Sequence, residues 1–390
     1  LDALRTQSEI ALDTETAFPR NPVKAAAFKN VYSLLKGGKE YAPIDPHTAE
    51  VRLMQMKGET TGIFVVDLWA LPNGALDTLA AFIQGYTGTW ILHNAKFDVK
   101  MIYGSLRVWL DYKAKLFCTM QASILLSNSV GMGGEKGRGH RLLDNARDFL
   151  DVDLDKTEQA SDWSQELTPE QLEYAAADVT HLHALKAFYW DTLVEKLGQV
   201  EPVELEMQVI GPVARMEWNG VPFNPVVYRK VQEAARYTLP DLLSKVGYYF
   251  KETLGTKLTP QRIPITREDG TLDFRTYRVP YFEGKSGDAL LNAKSKILAM
   301  LQEMGFVDDE GEPIENTQKA TLEVFRKEHP GVGYLLDYWA LLKQTQFDYE
   351  SWVHPLTKRL HPKLTPGGAS TGRFSCTSPN LQQVPELTGL

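Results

Sequence analysis

The sequence contains very little cysteine. Only Cys118 and Cys376 occur among 390 residues, which excludes a disulfide framework and a cysteine-rich zinc module. The longest apolar runs, 62–66 and 68–71, are far shorter than the ~18 residues that a membrane span requires. No N-terminal stretch joins basic residues to an apolar segment, so we expect no secretion signal. These absences predict a cytoplasmic protein without a membrane partner.

The sequence also lacks the positive net charge of most nucleic-acid binders. Lys and Arg number 42 against 50 Asp and Glu, so the formal net charge is −8. Residues 151–180 alone hold nine acids and one lysine, which leaves 41 acids and 41 bases in the rest of the chain. Any contact with DNA must therefore rest on local basic patches. A concentrated acidic segment is typical of a solvated face or of a cation site.

Strands and helices alternate in the first half of the sequence. Strands are predicted at 9–15, 51–57, 62–67 and 90–94, the second and third forming a hairpin. Helices are predicted at 76–84, 95–103, 118–126, 141–150 and from 169 to beyond 193, with a break near Gly198. The glycine-rich residues 127–140 are predicted to be a loop. This alternation predicts an α/β or α+β domain of about 200 residues.

The second half is predicted to be mainly helical. Helices are expected at 201–219, 226–254, 290–304, 319–328 and 333–353, with interruptions at Pro212 and Pro240. Between them, Asp269-Gly270 is a hairpin-type turn that predicts strands at 263–268 and 271–279. Prolines within these strands would confine them to a sheet edge.

Carboxylates recur where the predicted elements end. Asp13 and Glu15 are two residues apart and share one face of a strand, while Asp98 follows a strand-to-helix junction. Tyr174 and Asp178 share one face of a helix. Like charges that converge are costly unless cations are present, and oxygen-only ligands suit Mg²⁺ or Mn²⁺ and not zinc. Two such ions about 3.5–4 Å apart are the recurrent apparatus for cutting a phosphodiester.

Three neighbouring side chains have simpler interpretations. His181 and His183 project about 200° apart on a helix, so we predict that they do not bind one ion together. Asn94 is predicted to make a local hydrogen bond at the strand end and to support the site. Taken alone, any one of these acidic motifs could equally lie at a solvated strand end or pack in the core. Their occurrence together, in this order along the chain, argues against that interpretation.

The motifs LDTET, HNAKFD and YAAAD follow one another over some 165 residues. Together they resemble the three exonuclease motifs of the DEDD superfamily, tyrosine subclass. The flanking segments CTMQASILLSN and LDKTEQASDWSQELTPEQLEYAAADVTHLHAL resemble the proofreading domain of bacterial family A DNA polymerases. The resemblance implies that residues 1–198 form a ribonuclease H-like domain, a mixed sheet flanked by helices.

The resemblance also implies a role for each motif residue. Asp13, Glu15 and Asp178 would bind a first metal ion, and Asp13 would bridge to a second that Asp98 holds partly through water. Tyr174 would orient the attacking water. The reaction would remove 3′-terminal nucleotides as 5′ monophosphates from a single-stranded DNA end frayed from a primer–template duplex. No metal carboxylate is missing, which favours an active enzyme over an inactive relative.

Residues 199–390 resemble the thumb and the start of the palm of family A polymerases, a mainly helical region. The resemblance rests on EPVELEMQVIGPVARMEWNGVPFNP, NAKSKILAMLQEMG, HPGVGYLLDYWALLKQ and STGRFSCTSPNLQQVP. It implies that Arg373 contacts the primer end and that Asn380 and Gln382 contact the template strand. Lys294 and Lys296 would contact duplex DNA. Guanidinium and amide groups are suited to phosphates and minor-groove edges.

The sequence departs from the family in several places. Residues 16–49 and 256–290 are predicted insertions, and Trp339 and Thr345 stand where Arg and Lys are expected. The polymerising motifs of the palm and fingers do not occur in the 390 residues. We therefore expect either a fragment of a longer polymerase or a gene truncated or split at this point, with a separate or missing palm and fingers portion.

Two other functions remain open at this stage. The chain could be an RNA-trimming exonuclease of the same subclass, although the T-G-R and P-N-L-Q segment argues against it. It could also be an inactive clamp that binds duplex DNA, although the intact carboxylates argue against that. The motifs suit a bacterial cell or a phage-infected host equally.

Overall fold

The computed structural model describes most of the chain. The described residues are 1–34, 44–72, 74–129, 139–154, 158, 161–254, 257–266, 272–281, 294–346, 348–369 and 371–384, with the backbone alone at 29–34 and between 250 and 281. Most of the predicted glycine-rich loop and the turn Asp269-Gly270 lie outside these residues. Among the described residues, no helix is long and apolar enough to cross a membrane.

A five-stranded mixed sheet forms the centre of the first half. Its strands are β1 (Glu9–Ala17), β2 (Glu50–Gly58), β3 (Ile63–Asp67), β4 (Thr89–Leu92) and β5 (Lys115–Cys118), in the order β3-β2-β1-β4-β5. β1 pairs antiparallel with β2 and parallel with β4. β1 is central and has the unbroken apolar run of a strand covered on both faces, with Ile10, Ala11 and Leu12 fully buried.

Helices flank this sheet. They are α1 (Asp2–Arg5), α2 (Pro22–Leu34), α3 (Ala75–Gly85), α4 (Ala95–Leu106), α5 (Thr119–Ser129), α6 (Leu142–Leu150), α7 (Pro169–Thr180), α8 (Leu182–Tyr189), α9 (Val200–Gln208) and α10 (Ile210–Asn219). A π-helical turn, Trp190–Lys196, follows α8. The predicted mixed sheet with flanking helices is therefore confirmed.

The sequence predicts the start of α7 accurately. The Thr168 hydroxyl accepts a hydrogen bond from the Gln171 N–H, and the Gln171 side-chain oxygen accepts one from the Thr168 N–H, with Pro169 in the first turn. The predicted helix from 169 to beyond 193 is helical over nearly all of that range but is broken at His181, between α7 and α8. The Thr180 hydroxyl donates to the Ala176 carbonyl, a back-bond that competes with regular helix geometry.

Two further differences have local causes. The strand β5 was not predicted, since its four residues run directly into α5 and leave little periodicity to detect. The predicted helix 201–219 is two helices that meet at Val209. Pro212 stands four residues after Gln208, where its ring disfavours continuation from the preceding turn. Gly198, with φ of +65°, ends the π-helical turn as predicted.

The second half is mainly helical, as predicted. Its helices are α11 (Pro225–Leu254), Lys294–Glu303, Lys319–Glu323 and Pro330–Gln346, and α11 continues through Pro240. A two-stranded antiparallel sheet pairs Lys257–Thr266 with Leu272–Tyr281, each longer than predicted. Short strands Val221–Pro222, Arg359–Leu360, Lys363–Thr365 and Ser375–Thr377 and the 3-10 turns Glu350–Trp352 and Leu381–Gln383 complete the elements outside the main sheet in the described part of the chain.

The chain divides into two compact units. The first comprises 1–223 and 351–382 and is built on the sheet; the second comprises 224–350 with 383–390. The second unit has its own apolar core, which includes Val246, Ile297 and Leu335. The boundary predicted between residues 198 and 199, which separates the two regions of the sequence analysis, stays a prediction. The predicted insertion 16–49 begins within β1, which continues to Ala17.

Candidate active site

The strand β1 presents side chains to both faces of the sheet. Asp13 and Glu15 are half-buried, while Thr14 between them is buried and points to the opposite face. The pairing with β2 shifts register between Glu15 and Thr16, immediately after the acidic pair. A bulge at this point re-aims side chains at the end of a strand. The sheet thus holds two carboxylates at a fixed separation.

The helix α7 supplies the third carboxylate. It packs against β1, β2 and β3 and carries Asp178 on its buried face. Asp13, Glu15 and Asp178 each offer an oxygen atom within 4.8 Å of the others. Three half-buried or buried carboxylates at this separation repel one another, so a cation would stabilise the arrangement. The structure thus brings together three of the four predicted metal ligands.

Tyr174 lies one turn before Asp178 on the same helix face. Its ring is buried and lies 6.1 Å from the Trp163 ring between centroids. Burial raises the pKa of the Tyr174 hydroxyl strongly, and the charges of Asp178, Glu15 and Asp13 raise it further. Its side chain is hydrogen-bonded to Asp178. The phenol therefore stays protonated and acts as a donor beside the carboxylates.

Asp98 contacts β1 through Thr14, the residue between Asp13 and Glu15. It belongs to the first turn of α4, is 1% exposed, and accepts a 2.7 Å hydrogen bond from the Thr14 hydroxyl. Burial raises the pKa of Asp98 to about 7; the Thr14 hydrogen bond lowers it and the charge of Asp178 raises it. Asp98 is outside the group of three carboxylates but is coupled electrostatically to it. Its predicted role as a ligand of a second ion stays a prediction.

Asn94 shapes the turn from β4 into α4. It adopts a left-handed conformation, with φ of 59° and ψ of 44°, which Asn tolerates better than most residues. Its carbonyl accepts a 2.8 Å hydrogen bond from the Phe97 N–H, whereas its side chain makes no capping bond. The support that Asn94 gives to the position of Asp98 is thus through the backbone.

The two histidines after Asp178 do not form a metal site. His181 is the residue between α7 and α8, and His183 lies in the first turn of α8. Burial lowers the pKa of both side chains. Among the residues that the structure describes, neither histidine belongs to the group of three carboxylates that could hold a metal ion.

The predicted DNA-binding residues of the first unit lie in a hairpin and just after it. Lys363–Thr365 pairs antiparallel with Ser375–Thr377, and Arg373 is exposed in the connection between them. The Asn380 side chain accepts a 3.1 Å bond from the Gln382 N–H. The Gln382 amide in turn donates to the Phe374 carbonyl at 3.1 Å. These two amides therefore stabilise the loop that carries Arg373.

The predicted duplex-binding lysines belong to the second unit. Lys294 and Lys296 stand in the first turn of the helix Lys294–Glu303. Lys294 is exposed, and its ammonium lies 5.6 Å from the centre of the Trp339 ring. Lys296 is half-buried. Their contact with DNA stays a prediction.

Side chains of α4 and α5 donate hydrogen bonds to the main chain before Arg373, and no pattern in the sequence predicts these bonds. The Gln121 amide donates to the Pro366 carbonyl at 3.0 Å and the Asn128 amide to the Gly367 carbonyl at 3.2 Å. Lys96 donates to the Leu364 carbonyl. Long-range bonds from side chain to carbonyl leave no periodic signal in a sequence, so only the folded chain reveals them.

Lys96 also belongs to a buried ionic cluster. Its ammonium lies 2.8 Å from Glu217, which is 4% exposed and is also paired with Lys100. The same Glu217 carboxylate accepts a 2.7 Å hydrogen bond from the Leu364 N–H. The lysines lower the pKa of Glu217 against the opposing effect of burial. The carboxylate is therefore ionised and ties α4 and α10 to the hairpin.

Comparison with known proteins identifies the domain. Residues 39–193 match the family model "3'-5' exonuclease" of the family A DNA polymerases. This part of the chain is similar to the 3′-5′ exonuclease domain of DNA polymerase I-like proteins. The match begins after β1, and the sheet pairing of β1 with β2 and β4 brings the first acidic motif into this exonuclease domain.

Individual relatives agree with this assignment. A DNA polymerase I from Aquifex aeolicus is 27% identical over 366 residues, which cover 88% of this chain and 54% of the relative. A thermostable DNA polymerase I from Thermus thermophilus is 42% identical over 78 residues, 19% of this chain and 9% of the relative. The chain thus spans about half the length of the Aquifex relative and far less of the Thermus one.

A solved structure shows the same fold across the whole chain. It is the POL domain of Pol1 from M. smegmatis, in a complex with DNA primer-template and dNTP. The match has a TM-score of 0.62 and 14% identity, and it covers 100% of this chain and 54% of the other.

Proposed function

We propose that the chain is a metal-dependent 3′-5′ exonuclease that removes terminal nucleotides from DNA. The convergence of Asp13, Glu15 and Asp178 within 4.8 Å, beside a tyrosine in the exonuclease domain of a polymerase family, carries this proposal. The same proposal gives this activity a proofreading role within a larger polymerase. It also places the protein in the cytoplasm of a bacterium or of a phage-infected host cell.

The residues fit divalent cations. All candidate ligands are oxygen atoms, as Mg²⁺ and Mn²⁺ prefer, and their mutual repulsion is relieved when such ions bind. Asp13, Glu15 and Asp178 would hold one ion, and Asp13 with Asp98 would hold a second. When bound, the ions supply an activated water and stabilise the charge on the phosphate and the leaving 3′ oxygen.

The protein's own groups then orient the reactants. The Tyr174 hydroxyl is protonated and hydrogen-bonded to Asp178, so it can position a water or a phosphate oxygen beside that carboxylate. Asp98 is held by Thr14, which keeps its carboxyl group in one orientation. Positioning of this kind lowers the barrier because the reacting atoms need not be reordered in the transition state.

We infer that the substrate is a single-stranded 3′ end and that a primer–template duplex is the wider partner. Arg373, Asn380 and Gln382 are proposed to contact this duplex, and the hydrogen bonds that join Gln382 to Asn380 and to the Phe374 carbonyl beside Arg373 support that assignment. Lys294 and Lys296 are proposed to add contacts from the second unit. The remaining palm and fingers would belong to another part of the polymerase.

An RNA-trimming exonuclease and a silent DNA clamp are the rival functions. The first is disfavoured because residues outside the exonuclease domain share the fold of a polymerase POL domain. The second is disfavoured because the carboxylate cluster is intact.

Digestion of a labelled 3′ end tests the proposal. The purified chain is incubated with 5′-labelled single-stranded DNA or RNA and Mg²⁺ or Mn²⁺, beside the double variant Asp13→Ala, Asp178→Ala. Glu173→Ala, an exposed carboxylate on the same helix α7, is the matched control and should digest normally. We expect a ladder of shortened DNA that disappears in the double variant and in EDTA. No shortening by folded protein would refute the proposal, and preferential loss of RNA would favour the trimming function.

A further inference from the structure

A buried glutamine faces the carboxylate cluster. Gln55 in β2 stands directly opposite Asp13 in β1. Residues directly opposite in an antiparallel pair point to the same face, with Cβ atoms about 4.5–5.5 Å apart. Gln55 therefore lies on the face that carries Asp13 and Glu15, the face covered by α7.

The polar atoms of Gln55 are buried and unpaired within the described part of the chain. The side chain is 0% exposed, and neither Oε1 nor Nε2 has a hydrogen-bond partner among the residues that the structure describes. Its neighbours on this face, Leu53 along β2 and Val65 opposite on β3, are apolar. Buried amides are nearly always paired, so an unpaired amide at this position needs an explanation. A leucine would fill the same volume without the cost of burying polar atoms.

We propose that Gln55 is a positioning residue for the Asp13 carboxylate, donating from Nε2 directly or through one water once cations are bound. This inference rests on the proposed exonuclease function. A neutral donor suits the position, because it orients a carboxylate without competing with cations for the negative charge. A lysine would neutralise Asp13, and a glutamate would add repulsion to the cluster.

The arrangement parallels that of Asp98. Thr14 holds Asp98 from one face of β1, and Gln55 would hold Asp13 from the neighbouring strand on the other face. Partners that hydrogen-bond to metal ligands typically change metal affinity or activity 10–100-fold when they are removed. Gln55 therefore affects metal binding more than it affects folding.

The test compares Gln55→Leu in the full chain with Gln344→Leu. Gln344 is another buried glutamine, and it belongs to the second unit. The measurements are Mn²⁺ binding by calorimetry, the Mg²⁺ concentration for half-maximal digestion, and the thermal midpoint in EDTA.

We expect Gln55→Leu to weaken Mn²⁺ binding and raise the Mg²⁺ requirement at least tenfold while the thermal midpoint stays equal or rises. Gln344→Leu should leave both metal measurements unchanged. Gln55→Met, which matches the neighbouring methionines in volume, replaces the leucine variant if that variant does not fold. Unchanged metal affinity and Mg²⁺ requirement in a folded Gln55 variant would overturn the inference alone. Absence of both Mn²⁺ binding and digestion in the unmodified chain would overturn the proposed function as well.

Discussion

Thr14 favours the ionised form of Asp98. Its hydroxyl is the strongest influence that lowers the pKa of Asp98, against a burial effect that raises it to about 7. The substitution Thr14→Val removes this donor and keeps the side-chain shape. A hydrogen bond to a charged group is worth about 1.5–3 kcal/mol, and one pKa unit corresponds to about 1.36 kcal/mol. The pKa of Asp98 in metal-free Thr14→Val should therefore rise by roughly one to two units.

This shift has a consequence for metal-dependent activity. A protonated Asp98 must lose its proton before it can bind a cation, so cation affinity near neutral pH falls by about the same factor as the acid constant. We expect Thr14→Val to require about ten times more Mg²⁺ than the unmodified chain at pH 7. The difference should shrink towards pH 9, where at least about half of the Asp98 carboxyl groups are ionised in both proteins.

The assay measures digestion of single-stranded DNA against Mg²⁺ concentration at pH 7, 8 and 9. Thr78→Val, an exposed threonine in α3, is the control for loss of a hydroxyl group. A Mg²⁺ requirement that is unchanged, or that is raised equally at all three pH values, would show that Thr14 does not act through the ionisation of Asp98.

Four further outcomes test other parts of the structure. Tyr174→Phe should lower the digestion rate about 10²-fold or more without weakening Mn²⁺ binding, since it removes only the hydroxyl; an unaffected rate would exclude Tyr174 from the reaction. Glu217→Ala leaves Lys96 and Lys100 without their carboxylate partner and should lower the free energy of unfolding in urea by about 3–5 kcal/mol. The control Glu204→Ala, at an exposed position, should lower it little, and equal losses would contradict the buried cluster. Arg373→Ala should weaken primer–template binding and reduce its salt slope by about one while single-strand digestion persists; an unchanged slope would remove Arg373 from the interface. In EDTA, the raised pKa of Asp98 contributes stability that is present below about pH 4 and is lost as the pH rises through about 7. Asp98→Asn should therefore flatten the pH dependence of the free energy of unfolding between about pH 4 and pH 7.

Local signals predicted much of the fold. The cap at Thr168 and Pro169 fixes the start of α7, and the apolar run before Asp13 identifies β1, because both depend on neighbours within a few residues. The end of α7 at Thr180 depends on a single back-bond that many helices tolerate. The four-residue strand β5 exists because β4 offers it a partner, which no local pattern records.

The site shows the same division between local and long-range information. Strand alternation alone places Asp13 and Glu15 on one face, and helix spacing alone aligns Tyr174 with Asp178. Which side chains those carboxylates meet depends on strand register, since a one-residue slip would exchange Gln55 for Met54 or Met56 opposite Asp13. The partner of Asp98 was equally hidden, because Thr14 lies 84 residues earlier in the chain.

The strand β1 explains why these side chains act as one site. Asp13 and Glu15 face α7 with its Asp178, whereas Thr14 faces α4 with its Asp98. A shift of β1 relative to either helix would therefore change the carboxylate group and the Thr14–Asp98 pair at once. The fully buried residues before Asp13 resist such a shift, because moving them would expose apolar surface on both faces. Substitutions at Ile10 or Leu12 should accordingly change metal affinity, although neither side chain can bind a metal ion.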